Sequence, residues 1–317
     1  MKISVCTLAF GREEHLANLV LGLAANTRLP DELVISVMQR EPFALPDVPF
    51  PVRQIMLEKE GIPLAEGRNR AAREAAGDLL VFLDVDCIPH SACIADYVRH
   101  AGGLAGLMMG EVAYLPKGAT QFGIDEPLFD RLGVKHSERA GPPAGQSAPC
   151  RDYRCFWSLN FAMARRDFWL TGGFDEAYVG YGGEDTDFGR MVATRGLPIW
   201  WVRGAKAYHQ HHAHHMPPVH HLDSVLANVG RFIEKWGEPT MQHWLRAFVL
   251  MGLVERDGDG WRKLRDPRES ELRLTRQQEN MPYASSALVL EQLEAASCRT
   301  SAAAPEAGVS HPSIAIR

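Results

Sequence analysis

Four runs of branched and aromatic residues mark the first ninety positions of this 317-residue chain: KISVCTLAF (2–10), ELVISVM (32–38), PVRQIML (51–57) and LLVFL (79–83). The first and fourth suit buried strands, and the second and third read as further strands. Between the first two, Leu16, Leu19, Val20 and Leu23 recur at helical spacing within 12–29, until RLPDE breaks the pattern. The segment LAEGRNRAAREAAGD (64–78) is rich in Ala, Arg and Glu, predicts a second helix, and closes at Gly77. Strands alternating with helices imply parallel pairing through right-handed crossovers, hence a doubly wound sheet with helices on its faces. Ligands of such sheets bind beyond the carboxyl ends of the strands.

The fourth run ends in LLVFLDVDCIPH (79–90), which puts two acids at that edge. In extended backbone Asp84 and Asp86 would share a face while Val85 points away, and like charges there repel unless a cation joins them. Mg²⁺ and Mn²⁺ take carboxylate, imidazole and phosphate ligands, so an Asp pair at a strand end can hold such an ion against a diphosphate. An ordinary Asx turn at Asp86 is the alternative.

Composition narrows the classes. Apolar residues make up 46% of the chain and charged ones 23%, enough for a large core. A formal charge of −5 offers no polycationic surface, so nucleic acid is not an expected partner. Six cysteines without a CxxC pair read as reduced thiols. The apolar run at the amino end is too short for a signal peptide and no stretch of about 18 apolar residues occurs, so a cytoplasmic protein without a transmembrane segment is expected.

Further along, 104–115 predicts a strand, and 116–150 reads as an irregular, Pro/Gly-rich loop. The stretch 172–190, GGFDEAYVGYGGEDTDFGR, carries six glycines and five acids, with a helix expected to open near Glu184. Glycines such as Gly183 let backbone approach a ligand, and Glu184, Asp185 and Asp187 suit a helix start. These are either ordinary first-turn acids or a pair in which one carboxylate binds a sugar hydroxyl and the other deprotonates an acceptor. The segment AYHQHHAHHMPPVHH (207–221) holds seven of the thirteen histidines. His209, at the end of an expected strand, best completes coordination begun by Asp86, with His211 and His212 as substitutes. Thr7, Phe10 and Arg12 sit just past the first strand, where a base and ribose would lie, and Arg68 either pairs with a diphosphate or is, like Arg70, a solvated helix residue. In WSLNF (157–161), Trp157 and Asn160 suit a sugar but are equally ordinary in a core. Helices are expected over 221–237 and 239–255, and disorder over 295–317.

Taken in order, TLAFGREEHL, EGRNRAAREAAGDLLVFLDVDCIP and GGFDEAYVGYGGEDTDFGRM resemble the family 2 glycosyltransferases of the GT-A fold, and the third also resembles the carboxyl-terminal motif of the β-1,4-galactosyltransferases. The resemblance covers roughly 2–215. It implies a mixed, mostly parallel Rossmann-like sheet flanked by helices in a GT-A domain over 1–262, with a helical extension and a disordered tail over 263–317. It implies an inverting enzyme that uses Mn²⁺ or Mg²⁺ and moves a sugar from a nucleotide-diphosphate donor, a UDP-sugar by preference. The acceptor would be a glycan, a lipid-linked molecule or a small molecule. Thr7, Phe10, Arg12, Arg68 and Asp84 would line the donor site. Asp86 and His209 would hold the metal, and Glu184 and Asp185 would match the Glu-Asp of the galactosyltransferase motif, Asp185 as base. Two other readings use the same residues: a glycoside hydrolase with paired carboxylates, and a sugar-binding module without catalysis. A nucleotidyltransferase on a related sheet lacks its glycine-rich, basic amino-terminal loop here.

Overall fold

The computed structural model describes residues 1–139, 141–277 and 281–302. The expected alternation is present: β1 (Ile3–Ala9), α1 (Glu13–Ala24), β2 (Glu32–Val37), β3 (Val52–Met56), α2 (Leu64–Glu74) and β4 (Leu79–Leu83). After them come β5 (Cys87–Pro89), α3 (Cys93–Ala101), β6 (Leu107–Met109), β7 (Val112–Tyr114), α4 (Glu126–Leu132) and β8 (Ala148–Cys150). Then follow β9 (Asn160–Ala164), α5 (Arg165–Thr171), α6 (Glu184–Thr194), β10 (Ile199–Trp201) and β11 (Ala207–His209), with α7 (Leu222–Trp236) and α8 (Gln242–Leu250) behind. The main sheet has eight strands in the order β3-β2-β1-β4-β9-β6-β10-β8. Strands β3, β2, β1 and β4 are parallel, as are β6 and β10, while β9 runs against both its neighbours and β8 runs against β10. The sheet is therefore mixed and mostly parallel.

Alternate residues of each strand feed different layers. Ile3 and Val5 of β1 join Leu79 and Val81 of β4 and Leu16 and Leu19 of α1 in one core. Cys6 and Phe82 face the other, with Ala65 and Ala72 of α2 and Phe161, Phe174 and Phe188. Phe82 stacks on Phe161 at 4.5 Å, and Phe174 on Phe188 at 4.1 Å. Each buried ring contributes about 1.5–3 kcal/mol. Phe174 lies in the glycine-rich stretch and Phe188 in α6, so this core fixes the acids between them.

The strand expected over 104–115 is two strands in two sheets. Gly110 breaks it, because a Cβ there would lie 2.3 Å from the Ala205 carbonyl and 2.5 Å from the Tyr97 hydroxyl. After the break, β7 joins a three-stranded sheet, β5-β11-β7. The irregular 116–150 contains α4 and β8. Helix α8 stops at Leu250, and 254–257 pairs with 260–263 as a hairpin instead of continuing the helix expected to 255. That hairpin packs with α7, α8 and Val289 of the helix Ser286–Ala302 in a third cluster. The boundary expected after 262 thus falls inside a strand, and α7 and α8 share a core with the chain beyond it. Residues 295–302, expected to be disordered, close that last helix, whereas 303–317, covered by the same expectation, lie outside the described residues. Cys6, Cys87, Cys93, Cys150 and Cys155 are free thiols, and the Cys298 side chain lies outside the described residues.

Candidate active site

Strand β4 ends at Leu83, and the chain turns over Asp84–Cys87, with the Cys87 N–H donating to the Asp84 carbonyl at 2.8 Å. The two acids are therefore presented by a turn, not by alternation along a strand. They share the edge but take different partners.

Asp86 faces the histidines. Strand β5, which starts immediately after it, pairs antiparallel with β11 so that Cys87 lies opposite His209. The Gln210 N–H donates to the Asp86 carbonyl at 2.7 Å. The Gln210 side chain, bonded to Asn18 and to the His15 carbonyl, ties this strand end to α1. As a result His209 Nε2 lies 3.5 Å from Asp86 Oδ1 and His212 Nε2 lies 3.2 Å from Oδ2. Burial pushes His209 down to about 4, leaving it neutral with a lone pair free for coordination. Asp86, desolvated but flanked by His209, His212 and Arg12, is held well below the usual carboxylate range. Asp86, His209 and His212 offer ligand atoms within 4.8 Å of one another, the group among the described residues suited to a metal. A carboxylate oxygen with two imidazole nitrogens fits Mn²⁺ and related divalent ions. Arg12, at the left-handed amino end of α1 (φ 55°), lays its guanidinium on Asp86.

The second group gathers on Arg68. This residue is buried in α2, and its guanidinium lies 3.1 Å from Asp84, 3.4 Å from Glu184 and 4.0 Å from Asp185. It also covers the Phe174 ring at 5.3 Å. Burial raises Asp84 to about 6 against the pull of Arg68, and burial plus the neighbouring Asp185 raises Glu184 to about 7. Arg68, expected on a diphosphate, is instead enclosed by carboxylates of this chain. Glu184 and Asp185 open α6, whose amino end is set by Gly183 at φ 94°. Upstream, Asn69 of α2 donates to the Phe174 carbonyl at 2.8 Å and accepts from the Phe174 N–H at 2.8 Å. Asp185 is the more open of the two acids, 27% exposed against 7% for Glu184. Ser158 orients it, its hydroxyl donating to Oδ1 at 2.7 Å and its N–H to Oδ2 at 3.2 Å.

Asp84, Asp86, Arg12, Arg68, Glu184, Asp185 and His209 thus come together along one edge. The other expected residues are not joined to these groups by a hydrogen bond or ion pair among the described residues. Thr7 lies within β1, not past it, with a buried hydroxyl lacking a partner. Asn160 is fully buried, accepting from the Tyr97 hydroxyl and donating to the Glu111 and Ala205 carbonyls, so its amide serves the fold and is not available to a sugar. Phe10 is 65% exposed just past β1. Trp157 meets His136 edge-on at 5.0 Å, one residue from Ser158. Ser158 was missed, although it stands in the same WSLNF segment. A large cavity of about 650 Å³, lined by Asp96, Arg99 and Arg203 among others, lies apart from these groups.

Residues 145–215, which span Ser158, Glu184, Asp185 and the histidines, match the family described as the N-terminal domain of galactosyltransferase. The chain is 26% identical over 264 residues to validoxylamine A glucosyltransferase of Streptomyces hygroscopicus subsp. limoneus, covering 74% of this chain and 56% of that protein. It is 26% identical over 288 residues to the uncharacterized glycosyltransferase YfnE of Bacillus subtilis (strain 168), covering 74% of this chain and 71% of the relative. The chain spans about half the length of the validoxylamine A glucosyltransferases it matches. Among solved structures, GalNAc-T7 with UDP, GalNAc and Mn²⁺ is similar at TM-score 0.55 and 15% identity, over 95% of this chain and 57% of that one. S. aureus TarS 1–349 in complex with UDP-GlcNAc is similar at TM-score 0.50 and 13% identity, over 78% of this chain and 72% of that one. The fold is that of the GT-A glycosyltransferases, and the relatives by sequence are named glycosyltransferases.

Proposed function

From a GT-A frame and glycosyltransferase relatives, we propose that this chain is an inverting, metal-dependent glycosyltransferase that moves a sugar from a nucleotide-diphosphate donor, a UDP-sugar by preference, to an acceptor hydroxyl. The observation that carries the reading is the division of labour on one edge: Asp86 with His209 and His212 on one side, Asp185 with Ser158 on the other. Two structures that resemble this fold were solved with UDP, GalNAc and Mn²⁺ and with UDP-GlcNAc. A paired-carboxylate hydrolase needs neither nucleotide nor metal and leaves the histidines without a purpose.

Asp86, His209 and His212 would hold Mn²⁺ or Mg²⁺, which when bound supplies positive charge for a departing diphosphate. The rest falls to this chain's own residues. Ser158 points both oxygens of Asp185, and Asp185 takes the proton of the acceptor hydroxyl as that oxygen attacks the anomeric carbon opposite the leaving group. Arg68 holds Asp84, Glu184 and Asp185 at fixed spacing and offsets their repulsion. Glu184, raised to about 7, carries a proton part of the time at neutral pH and can then donate to a sugar hydroxyl. Arg12, on the open side of Asp86, is placed to meet a diphosphate.

A panel of nucleotide sugars, screened for thermal stabilisation with and without Mn²⁺ and then for release of nucleoside diphosphate, tests the proposal. Selective stabilisation that needs the metal, followed by turnover of the same donor, is expected. Donor-independent melting, or hydrolysis of glycosides unaffected by chelator, would reject it.

A further inference from the structure

Arg139 is 7% exposed, yet among the described residues no carboxylate pairs with it. Its Nε and Nη2 are buried without an acceptor. The guanidinium lies over the Trp201 ring at 5.2 Å, which covers one face but satisfies no N–H. Burial draws its affinity for the proton down, the signature of a cation short of counter-charge. The groups that act on it most are Tyr114, Tyr97 and Cys87, all pushed by burial toward their neutral, protonated forms. Cys155, whose thiol is drawn down to about 7 mainly by its hydrogen bond with Cys150, acts on it least. An arginine cannot escape by losing its proton, so an unpaired buried one costs stability unless something negative arrives.

There is room for that partner. Arg139 lines a cavity of about 20 Å³ together with Lys135, His136, Glu111 and Trp201. A space of that size takes one or two water-sized groups and not a nucleotide. Glu111 lines it too, but its carboxylate accepts from the Gly204 N–H at 2.8 Å. Lys135 adds a second positive charge at the rim. The cavity sits one aromatic layer from the metal-site histidine: the Tyr114 ring stacks on His209 at 4.7 Å and meets His136 at 5.4 Å.

We infer that this cavity binds a single carboxylate-sized monoanion, held by the forked N–H groups of Arg139 with Lys135 in support. The carboxylate comes either from a free small acid or from an acidic sugar reaching in from solvent. The site is independent of the proposed transfer reaction, so its loss would leave that proposal standing.

Melting curves on the full chain test it, in chloride-free buffer with ionic strength held by a sulfonate too bulky for the cavity. Formate should raise the melting temperature saturably, by roughly 1–2 °C at about four times its Kd, while neutral formamide should not. Glucuronate acting at lower concentration than formate, with glucose inert, identifies the sugar-borne carboxylate; formate acting alone identifies the free acid. Arg139→Met should melt no lower than wild type without anion and should not respond to formate. Arg139→Lys should keep a weaker response. Equal effects of formate and formamide on the wild type, an undiminished formate response in Arg139→Met, or a large loss of stability in that variant without anion would overturn the inference.

Discussion

Ser158 holds Asp185 by both oxygens, through its hydroxyl at 2.7 Å and its backbone N–H at 3.2 Å. A carboxylate gripped in this way keeps one orientation toward an incoming hydroxyl. Asp185→Asn should keep donor affinity and lose turnover by roughly 10²–10⁴-fold, the usual worth of a positioned base. Ser158→Ala should lose roughly 10–100-fold in kcat with KM for the donor unchanged, because only the aim of the base suffers. Steady-state kinetics of the two variants decide the point, and full activity in Asp185→Asn removes it from the base role.

Asp86→Ala should abolish the Mn²⁺-dependent part of UDP binding, measured by calorimetry with and without the ion. His212→Ala should weaken Mn²⁺ affinity by roughly 10–100-fold, as expected when a site loses one of its anchoring groups. Equal UDP affinity in the presence and absence of Mn²⁺ for the wild type would remove the metal from the site.

The pH dependence of stability should carry the mark of Glu184. Its folded value, about 7, stands above its ordinary value of 4.5, so the fold keeps a proton that the unfolded chain has released. Stability contributed by this group is full below about 4.5, falls as pH rises, and is lost above about 7. Glu184→Gln should therefore gain on the wild type between those limits, by on the order of 3 kcal/mol at most, and run level with it at acid pH. Denaturation of both proteins at pH 4.5, 6 and 8 reads this directly. A gap that shrinks as pH rises contradicts it.

Gly182 adopts φ 86°, and a Cβ there would lie 2.6 Å from Met241 Sδ and 2.8 Å from the Trp244 ring. Gly182→Ala should cost about 1–3 kcal/mol and disturb the start of α6. Chemical denaturation should show the loss, and donor affinity should fall with it. An unchanged midpoint would mean that α8 yields freely at this contact.

Phe188→Ala should cost about 3–5 kcal/mol, since it opens the stack with Phe174 in a core that also seats Arg68. Reduced stability with intact donor binding would show that Arg68 keeps its place without that ring.

Local pattern made much of this molecule readable. The runs before Leu83 have the composition of strands and form them, with β1, β2 and β4 buried and β3 only half-buried at the sheet edge; the acids of 184–187 suit a helix start, and they begin α6. Asp86 and His209 could be paired because strand ends on one edge converge. What escaped depends on contacts distant in sequence. Nothing in WSLNF separates Ser158, which reaches Asp185, from Asn160, whose amide is used by Tyr97, Glu111 and Ala205. Arg68 looked like a solvated helix residue or a phosphate ligand because its enclosure by Asp84, Glu184 and Asp185 arises only when β4 and α6 meet. The split of 104–115 turned on Gly110, whose tight surroundings come from residues 97, 160 and 205. His212 was one of several equivalent candidates until β11 fixed the register of His209 against Cys87.

The antiparallel insertion of β9 between β4 and β6 dictates the order in which a nascent chain can mature. When the first 115 residues have left the ribosome, β4 carries a naked hydrogen-bonding edge, because its mate is not made until residue 164. Exposed edges of that kind recruit other chains. Truncations ending before β9 should therefore self-associate, and the span from 116 to 159 sets how long the growing polypeptide must be shielded.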